Sequence, residues 1–529
     1  MNAFRPMSAW AAAAWLAALP MLASPAIAAD LRIGLSAPVT SIDPHFANAA
    51  PNSSFARHVF DTLVMRGPDG RPTPHLALSW TPVEENLWEF KLRPGVTWHD
   101  GKPFTADDVI FTFGRAPSVP NSPASFGGSL RTVTKVEAVD PLTLRITTSA
   151  PTPNLPIDLA AIAIISRHVG ESATTADYNS GKAAIGTGPY RFSSYSSGSS
   201  IAVERNAAWW GPKQEWDRVD FRIIPSPAAR TAALLSGDVD LIANPSASDL
   251  PRLRGEANLR IFERPSARSL FLSLDMERTG ATPFITDNDG KPLPKNPLLD
   301  LRVRQALSLA IARQGLAERV MQGMAEPTGQ WMPPGAFGYN ANVAVPTQDL
   351  ARARALLAEA GYPQGFKVTI HASNDRYPND AQTAQAVAQM WTRIGVATTV
   401  EAMPFSTYLT RLSRQEFSVV QNSWGSTTAE AGSVLLNIIH SFDAPRRLGA
   451  SNDTRYHNPA LDTQIEEALS TMDAGQREQR LAAAVAVSMQ DVAFIPMIMY
   501  KNAWAVRRPL TYEPRMDEAT LAMGVGRSE

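Results

Sequence analysis

From Leu87 to Arg93 apolar and polar side chains alternate, with Trp88, Phe90 and Leu92 set against Glu89, Lys91 and Arg93. That two-residue period predicts a strand with one buried face. Residues 31–35, LRIGL, predict a first strand in the same way, and Ser36-Ala37-Pro38 opens the loop after it. The period then lengthens. Phe55, Val59, Phe60 and Leu63 share one side of a helix over residues 53–63, and Val303, Ala306, Leu307, Ala310 and Ile311 recur at helical spacing. Asp349 is placed to cap a helix through Leu350, Ala353, Leu356 and Leu357 that ends at Gly361. Asp380 is placed to cap another through Val387, Met390, Trp391 and Ile394, ending at Gly395. A short β-type run follows each, at residues 368–370 and 397–400, and this alternation predicts an α/β protein.

Two polar interruptions stand at strand ends. Residues 417–431, FSVVQNSWGSTTAEA, begin as a strand with Phe417, Val419 and Val420, then break at Trp424-Gly425 into small hydroxylated residues. An α/β protein holds ligands at such places, because backbone N–H groups and hydroxyls are left free where a strand stops. Residues 371–380, HASNDRYPND, likewise follow a strand and precede a helix. Arg376 there offers a planar donor fork for a carboxylate and Tyr377 an amphipathic wall. The alternative for Arg376 is a surface ion pair with Asp375 or Asp380. Asp100-Gly101 marks a tight hairpin turn, and Thr105 with Asp108 forms a capping-box pair.

The chain has 529 residues, well past the ~250–300 at which one core stops growing, so at least two lobes are expected. Its net charge of −1 leaves no basic face for nucleic acid or an anionic membrane. Arg5, the apolar residues 9–22 and the small-x-small Ala26-Ile27-Ala28 form an export signal, cleaved near Ala28-Ala29. The absence of cysteine excludes disulfides, thiolate chemistry and a lipid-modified N-terminal cysteine, so the periplasm is the expected location. No HExxH, no phosphate loop ending in Gly-Lys-Ser/Thr and no Gly-x-Ser-x-Gly elbow occurs. His99 at its turn reads as a structural hydrogen-bonding group. Asp287-Asn288-Asp289-Gly290 opens like a calcium loop, but its twelfth position is Leu298 instead of an acid. Neither a metal nor a cofactor is expected, and an exported hydrolase would need a nucleophile–base pair that is not displayed.

A long block over residues 72–113 carries Pro74, Leu76-Ala77, Ser79-Trp80, Leu92-Arg93, Gly95-Val96, His99-Asp100-Gly101, Pro103, Ala106 and Asp108-Val109. Further on stand Gly186-Thr187-Gly188-Pro189-Tyr190, Glu204-Arg205-Asn206, Trp210-Gly211, Ser236-Gly237-Asp238-Val239-Asp240 and the segment 300–312, with Ile42-Asp43-Pro44-His45 ahead of them all. In this order the motifs resemble the family 5 solute-binding proteins, the oligopeptide-, dipeptide- and nickel-binding receptors of ATP-driven importers. The resemblance implies the two-lobed α/β periplasmic-binding-protein fold (type II, cluster C), with an extra inserted domain and a hinge. Domain I would take residues 30–67, 184–265 and 496–529, domain II residues 68–183, and domain III residues 266–495. Chain crossings between lobes are expected in the apolar runs 269–274 and 493–500.

The resemblance also implies function. The chain would capture a peptide or peptide-like solute as a monomer and hand it to permease subunits in the inner membrane, whose partner subunits hydrolyse ATP. A non-peptide solute (an opine, a sugar-derived compound or a metal chelate) is the alternative. Arg376 and Tyr377 would meet the ligand carboxylate, Ser36, Ala37 and Pro38 would face the cleft from domain I, and Trp424, Gly425 and Ser426 would form its floor. Peptide-binding members carry an Asp for the ligand ammonium where this chain has Thr427, and Glu430 is the nearest carboxylate.

Overall fold

The computed structural model describes Met1 and residues 29–426, 428–446 and 448–528. The expected export signal and Thr427 lie outside the described residues. Among those described, twelve strands form one mixed sheet, and four more form a separate antiparallel sheet.

The large sheet is continuous because two long strands run through it side by side. Leu259–Leu274 and Ile495–Arg507 pair antiparallel, with register shifts between Pro265 and Ser269 and between Leu270 and Phe271. Along each strand the buried side chains change core. Leu270, Leu272 and Leu274 join Ile495, Met497 and Ile498 in one apolar cluster. Trp504 and Val506 instead join Leu31, Ile33, Val219 and Phe221 in another. The crossing is therefore at Arg264-Pro265-Ser266 and Lys501-Asn502, just outside the apolar runs expected to mark it. The reason is physical: apolar runs mark where a strand is already inside one core, whereas the span between cores is the polar part. Lys501 lies 3.6 Å from both Glu263 and Glu326 there.

On one side of the crossing Asp30–Leu35 is central, parallel to both Arg218–Ile223 and Leu241–Ala243. On the other, Val419–Gly425 pairs antiparallel with Leu259–Leu274 and parallel with Lys367–Ser373, which in turn pairs parallel with Ala397–Met403. Helices cover these strands as their periodicity predicts. Leu350–Glu359 starts at Asp349, whose carboxylate accepts from the Arg352 N–H at 2.9 Å, and Gly361 follows at φ +94°. Asp380 departs from expectation. The cap position of Asp380–Thr392 belongs to Asn379 at φ +54°, and the Asp380 carboxylate turns back to accept from Ser373 Oγ (2.7 Å) and the N–H groups of Arg376 (3.3 Å) and Tyr377 (3.2 Å). It organises the loop before the helix.

The four-stranded sheet, formed by Ala77–Glu84, Leu87–Leu92, Val133–Asp140 and Thr143–Thr148, has its own core. Trp88, Phe90 and Leu92 are buried in it, as the alternation requires. Asp100-Gly101 closes a single bridge, Thr97 to Pro103, with Gly101 at φ +87°.

Several of the sequence motifs act here as joints between segments. His99 Nδ1 accepts from the Gly186 N–H at 3.2 Å, which leaves Nε2 to donate to the Gly188 carbonyl at 3.1 Å. A Cβ on Gly186 would lie 1.8 Å from the Val59 carbonyl oxygen, so only glycine allows that close approach. Asp43 accepts the Arg115 fork at 2.9 and 2.7 Å and the Thr175 hydroxyl at 2.8 Å.

Candidate ligand-binding cleft

A cleft of about 310 Å³ opens where the two sides of the large sheet meet the inserted domain. Its walls come from segments far apart in the chain. The helix Ala50–Val59 contributes Ser53, Ser54 and Arg57, and the short strand Val64–Arg66 contributes Arg66. The inserted domain brings Ile157 and Asp158, the second lobe Arg268, Gly425 and Ser426, and the C-terminal segment Asp517 and Glu518.

Charge is unevenly satisfied in this space. Arg57 donates to Asp517 at 2.8 Å, and Arg515 donates to the same carboxylate at 2.9 and 3.0 Å. Burial works against an ionised Asp517, but the two guanidiniums outweigh it and hold the carboxyl well below the usual range. Asp158 has no such partner among the described residues. Burial, with the nearby charge of Glu430 adding to it, pushes its carboxyl up to about 7.

Arg66 and Arg268 are each without a carboxylate within 4 Å among the described residues. The Arg66 Nε is fully enclosed and makes no hydrogen bond there. Burial, reinforced by the neighbouring charge of Arg57, pulls its guanidinium down to about 10. Arg268 leans across bare backbone: a Cβ at Gly425 would stand 2.6 Å from its Nη2. The glycine after Trp424 therefore leaves room for this side chain.

Beside Arg268 lies a cation–aromatic cluster. The Tyr377 ring sits 5.9 Å from the Arg268 guanidinium and 5.1 Å from that of Arg376, which also lies 5.5 Å over Phe405. Arg376 forms no ion pair among the described residues. Asp380 is occupied by the loop backbone, and Asp375 accepts from the Phe405 N–H at 2.8 Å. The surface ion pair weighed for Arg376 is thus not what the loop forms. Tyr377 Oη donates to the Ser423 carbonyl at 3.3 Å, which pins the loop to the end of Val419–Gly425.

Other candidate residues are placed differently. Trp424 is half-buried against the second lobe's apolar cluster, with its indole N–H 3.4 Å from Ser433 Oγ, and it shapes the strand end instead of lining the cleft. Ser426 lines the cleft, but its hydroxyl accepts from the Glu430 N–H and donates to the Glu430 carbonyl, both at 3.1 Å. Glu430 is buried and its carboxylate accepts from Arg477 Nη1, which also donates to Asn154 of the inserted domain. It is committed to a pair within the protein and is not presented to the cleft. Ser36, Ala37 and Pro38 are not among the cleft-lining residues: just past the C-terminal end of Asp30–Leu35, Ser36 Oγ accepts from Asn244 Nδ2 at 3.4 Å. Arg57, Arg66, Asp158, Arg268 and Asp517 went unread in the sequence. No spacing links them, because folding alone brings them together.

Among the described residues no group of three or more metal-ligating side chains converges, and no helix is long and apolar enough to cross a membrane.

Comparison with known proteins agrees with this architecture. Residues 71–445 match the model for bacterial extracellular solute-binding proteins, family 5 Middle. The chain is 27% identical over 432 residues to the dipeptide-binding protein of Escherichia coli (strain K12), covering 76% of each. It is 28% identical over 513 residues to a glutathione-binding protein of Salmonella typhimurium, covering 94% of this chain and 95% of the relative. The fold superposes on that of HbpA2 from Haemophilus parasuis with a TM-score of 0.83 at 22% identity, over 94% of this chain and all of the other. Together these carry the type II periplasmic-binding-protein fold, and the chain belongs to the family 5 bacterial extracellular solute-binding proteins.

Proposed function

We propose that this protein is the periplasmic receptor of an ATP-driven importer, which captures a peptide or peptide-like solute between its lobes and passes it to permease subunits in the inner membrane. The observation that carries this reading is the cleft itself. Residues from both sides of the strand crossing line one space, and Arg66 and Arg268 face it from opposite sides, each without a carboxylate within 4 Å among the described residues. Only two strands need flex for the lobes to move, so contacts made in the closed form alone shift the population toward closure. Dipeptide- and glutathione-binding relatives support a peptide-like ligand.

In this reading the N-terminal segment is a cleaved export signal and the mature chain works as a monomer. Residues 30–67, 184–265 and 501–529 form domain I, residues 68–183 form domain II, and residues 266–500 form domain III, the last boundary moved from 495 to the strand crossing. Arg376, Tyr377, Gly425 and Ser426 belong to the second lobe's ligand face. The ligand leaves unchanged, so the chain is a carrier with no catalytic residue.

Isothermal titration of the mature protein against a dipeptide panel and glutathione tests the proposal. One solute should bind at one site per chain and be recovered intact. No binding across the panel, or recovery of a cleaved product, overturns the reading.

A further inference from the structure

A guanidinium enclosed by protein with nothing to donate to is costly, because it has given up water without gaining an acceptor. Arg66 is partly in that state, half-buried with its Nε fully enclosed. Its Nε is buried without a hydrogen-bond partner among the described residues, and its guanidinium lies at the wall of the cleft. Arg515 does approach this segment, but it donates to the backbone carbonyls of Arg66 and Gly67, at 2.6 and 3.1 Å, and so adds positive charge beside Arg66. The nearest strong acid, Asp517, is already taken by Arg57 and Arg515. Across the space, from the other lobe, stands Arg268, also without an ion pair among the described residues and held clear by the bare backbone of Gly425. The remaining acids on the wall are Asp158, which burial disfavours as an anion, and Glu518, which is exposed at the rim.

We propose that the cleft takes a carboxylate-bearing solute whose anionic group is gripped from both lobes, by Arg66 of the first and Arg268 of the second. This rests on the importer-receptor reading and names the ligand class within it. Without an anion the two guanidiniums repel across the cleft and oppose closure. A carboxylate between them turns the repulsion into two charge-assisted hydrogen-bonding contacts, which exist only when the lobes approach. The anion is thus both the recognised group and the trigger. The sequence has Thr427 where the resemblance implies an acid for a ligand ammonium, so a free α-amine is not required.

The test uses four probes on the mature protein: Glu-Ala-Glu, its N-acetyl form, Ala-Ala-Ala and Lys-Ala-Lys, titrated by calorimetry. The acidic pair should bind at least ~10-fold more tightly than the neutral or basic peptide, about 1.4 kcal/mol. Arg66→Gln and Arg268→Gln should each remove that preference, and Arg66→Lys should restore part of it. Arg66→Met supplies a readout independent of binding, because removing a half-buried charge whose Nε has no acceptor should raise the melting temperature of the ligand-free protein. Equal or tighter binding of the neutral or basic peptide overturns the anion grip while leaving the receptor reading intact. Preference retained in both glutamine variants, or Arg66→Met that melts lower, also overturns it. Failure of all four probes to bind removes the peptide-like reading together with the grip.

Discussion

Arg477 and Glu430 form a buried ion pair whose guanidinium nitrogen is shared with the side-chain oxygen of Asn154. One arginine on the helix Ala474–Gln490 thereby ties the floor of the cleft to the inserted domain. Burial pushes the Glu430 carboxyl up, and Arg477 opposes the push.

The first prediction follows from that pair. Glu430→Gln leaves Arg477 buried without its anion, a change that typically costs ~3–5 kcal/mol. Urea unfolding should register the loss, whereas calorimetry on the folded fraction should find ligand affinity within about twofold. A large loss of affinity with unchanged stability would instead make Glu430 a ligand contact.

Arg376 leads to the opposite expectation. It is exposed, has no ion pair among the described residues, and rests on Tyr377 and Phe405. Arg376→Ala should lower affinity for a carboxylate ligand at least ~10-fold, on the order of 1.4 kcal/mol, with the unfolding midpoint nearly unchanged. An unaltered dissociation constant would remove Arg376 from the ligand face.

Asp158 makes stability depend on pH in a particular direction. Its carboxyl is pushed up to about 7 in the folded protein, against roughly 3.9 in an unfolded chain. A raised acid contributes stability that is fully present below the unfolded value and is lost as pH rises to the folded one. Asp158→Asn cannot ionise, so its melting temperature should exceed wild type clearly at pH 8 and only slightly at pH 5. A difference that is constant across this range, or that grows toward acid, contradicts the assignment.

Much of the scaffold was legible because it obeys short-range rules. The strand Leu87–Leu92 alternates, Asp349 caps its helix, and Gly361 and Gly395 stop theirs at positive φ. Asp380 misled because an acid just before an apolar helical stripe is normally a cap, whereas Asn379 tolerates the left-handed backbone and freed Asp380 to hold the loop. The cleft was only partly legible. Gly425 stands at a strand end, where local pattern points to ligands, and lines the cleft; Arg376 and Tyr377, at another strand end, stand beside it. Arg66 and Arg268 sit more than 200 positions apart in ordinary strand contexts, and only the shared cleft gives them meaning. Glu430 looked available in sequence because its partner, Arg477, lies on a distant helix.

Glycine at 425 offers a check on packing at the floor. Gly425→Ala should displace the Arg268 guanidinium, whose Nη2 occupies the space a Cβ would approach to 2.6 Å. Because the displaced atoms end a flexible side chain, stability should change by less than ~1 kcal/mol, while affinity for the acidic tripeptide falls severalfold. Calorimetry and thermal melting on the same sample separate the two effects.

The central claim, capture of one small solute between two lobes, is tested most directly by native mass spectrometry of the protein recovered from periplasmic extract. A single small solute per chain should be found that carries a carboxylate, is released intact on denaturation, and is lost in the Arg66→Gln, Arg268→Gln double variant. A chain that carries no solute and rejects every peptide-class compound added back, or one that releases a cleaved product, would contradict it.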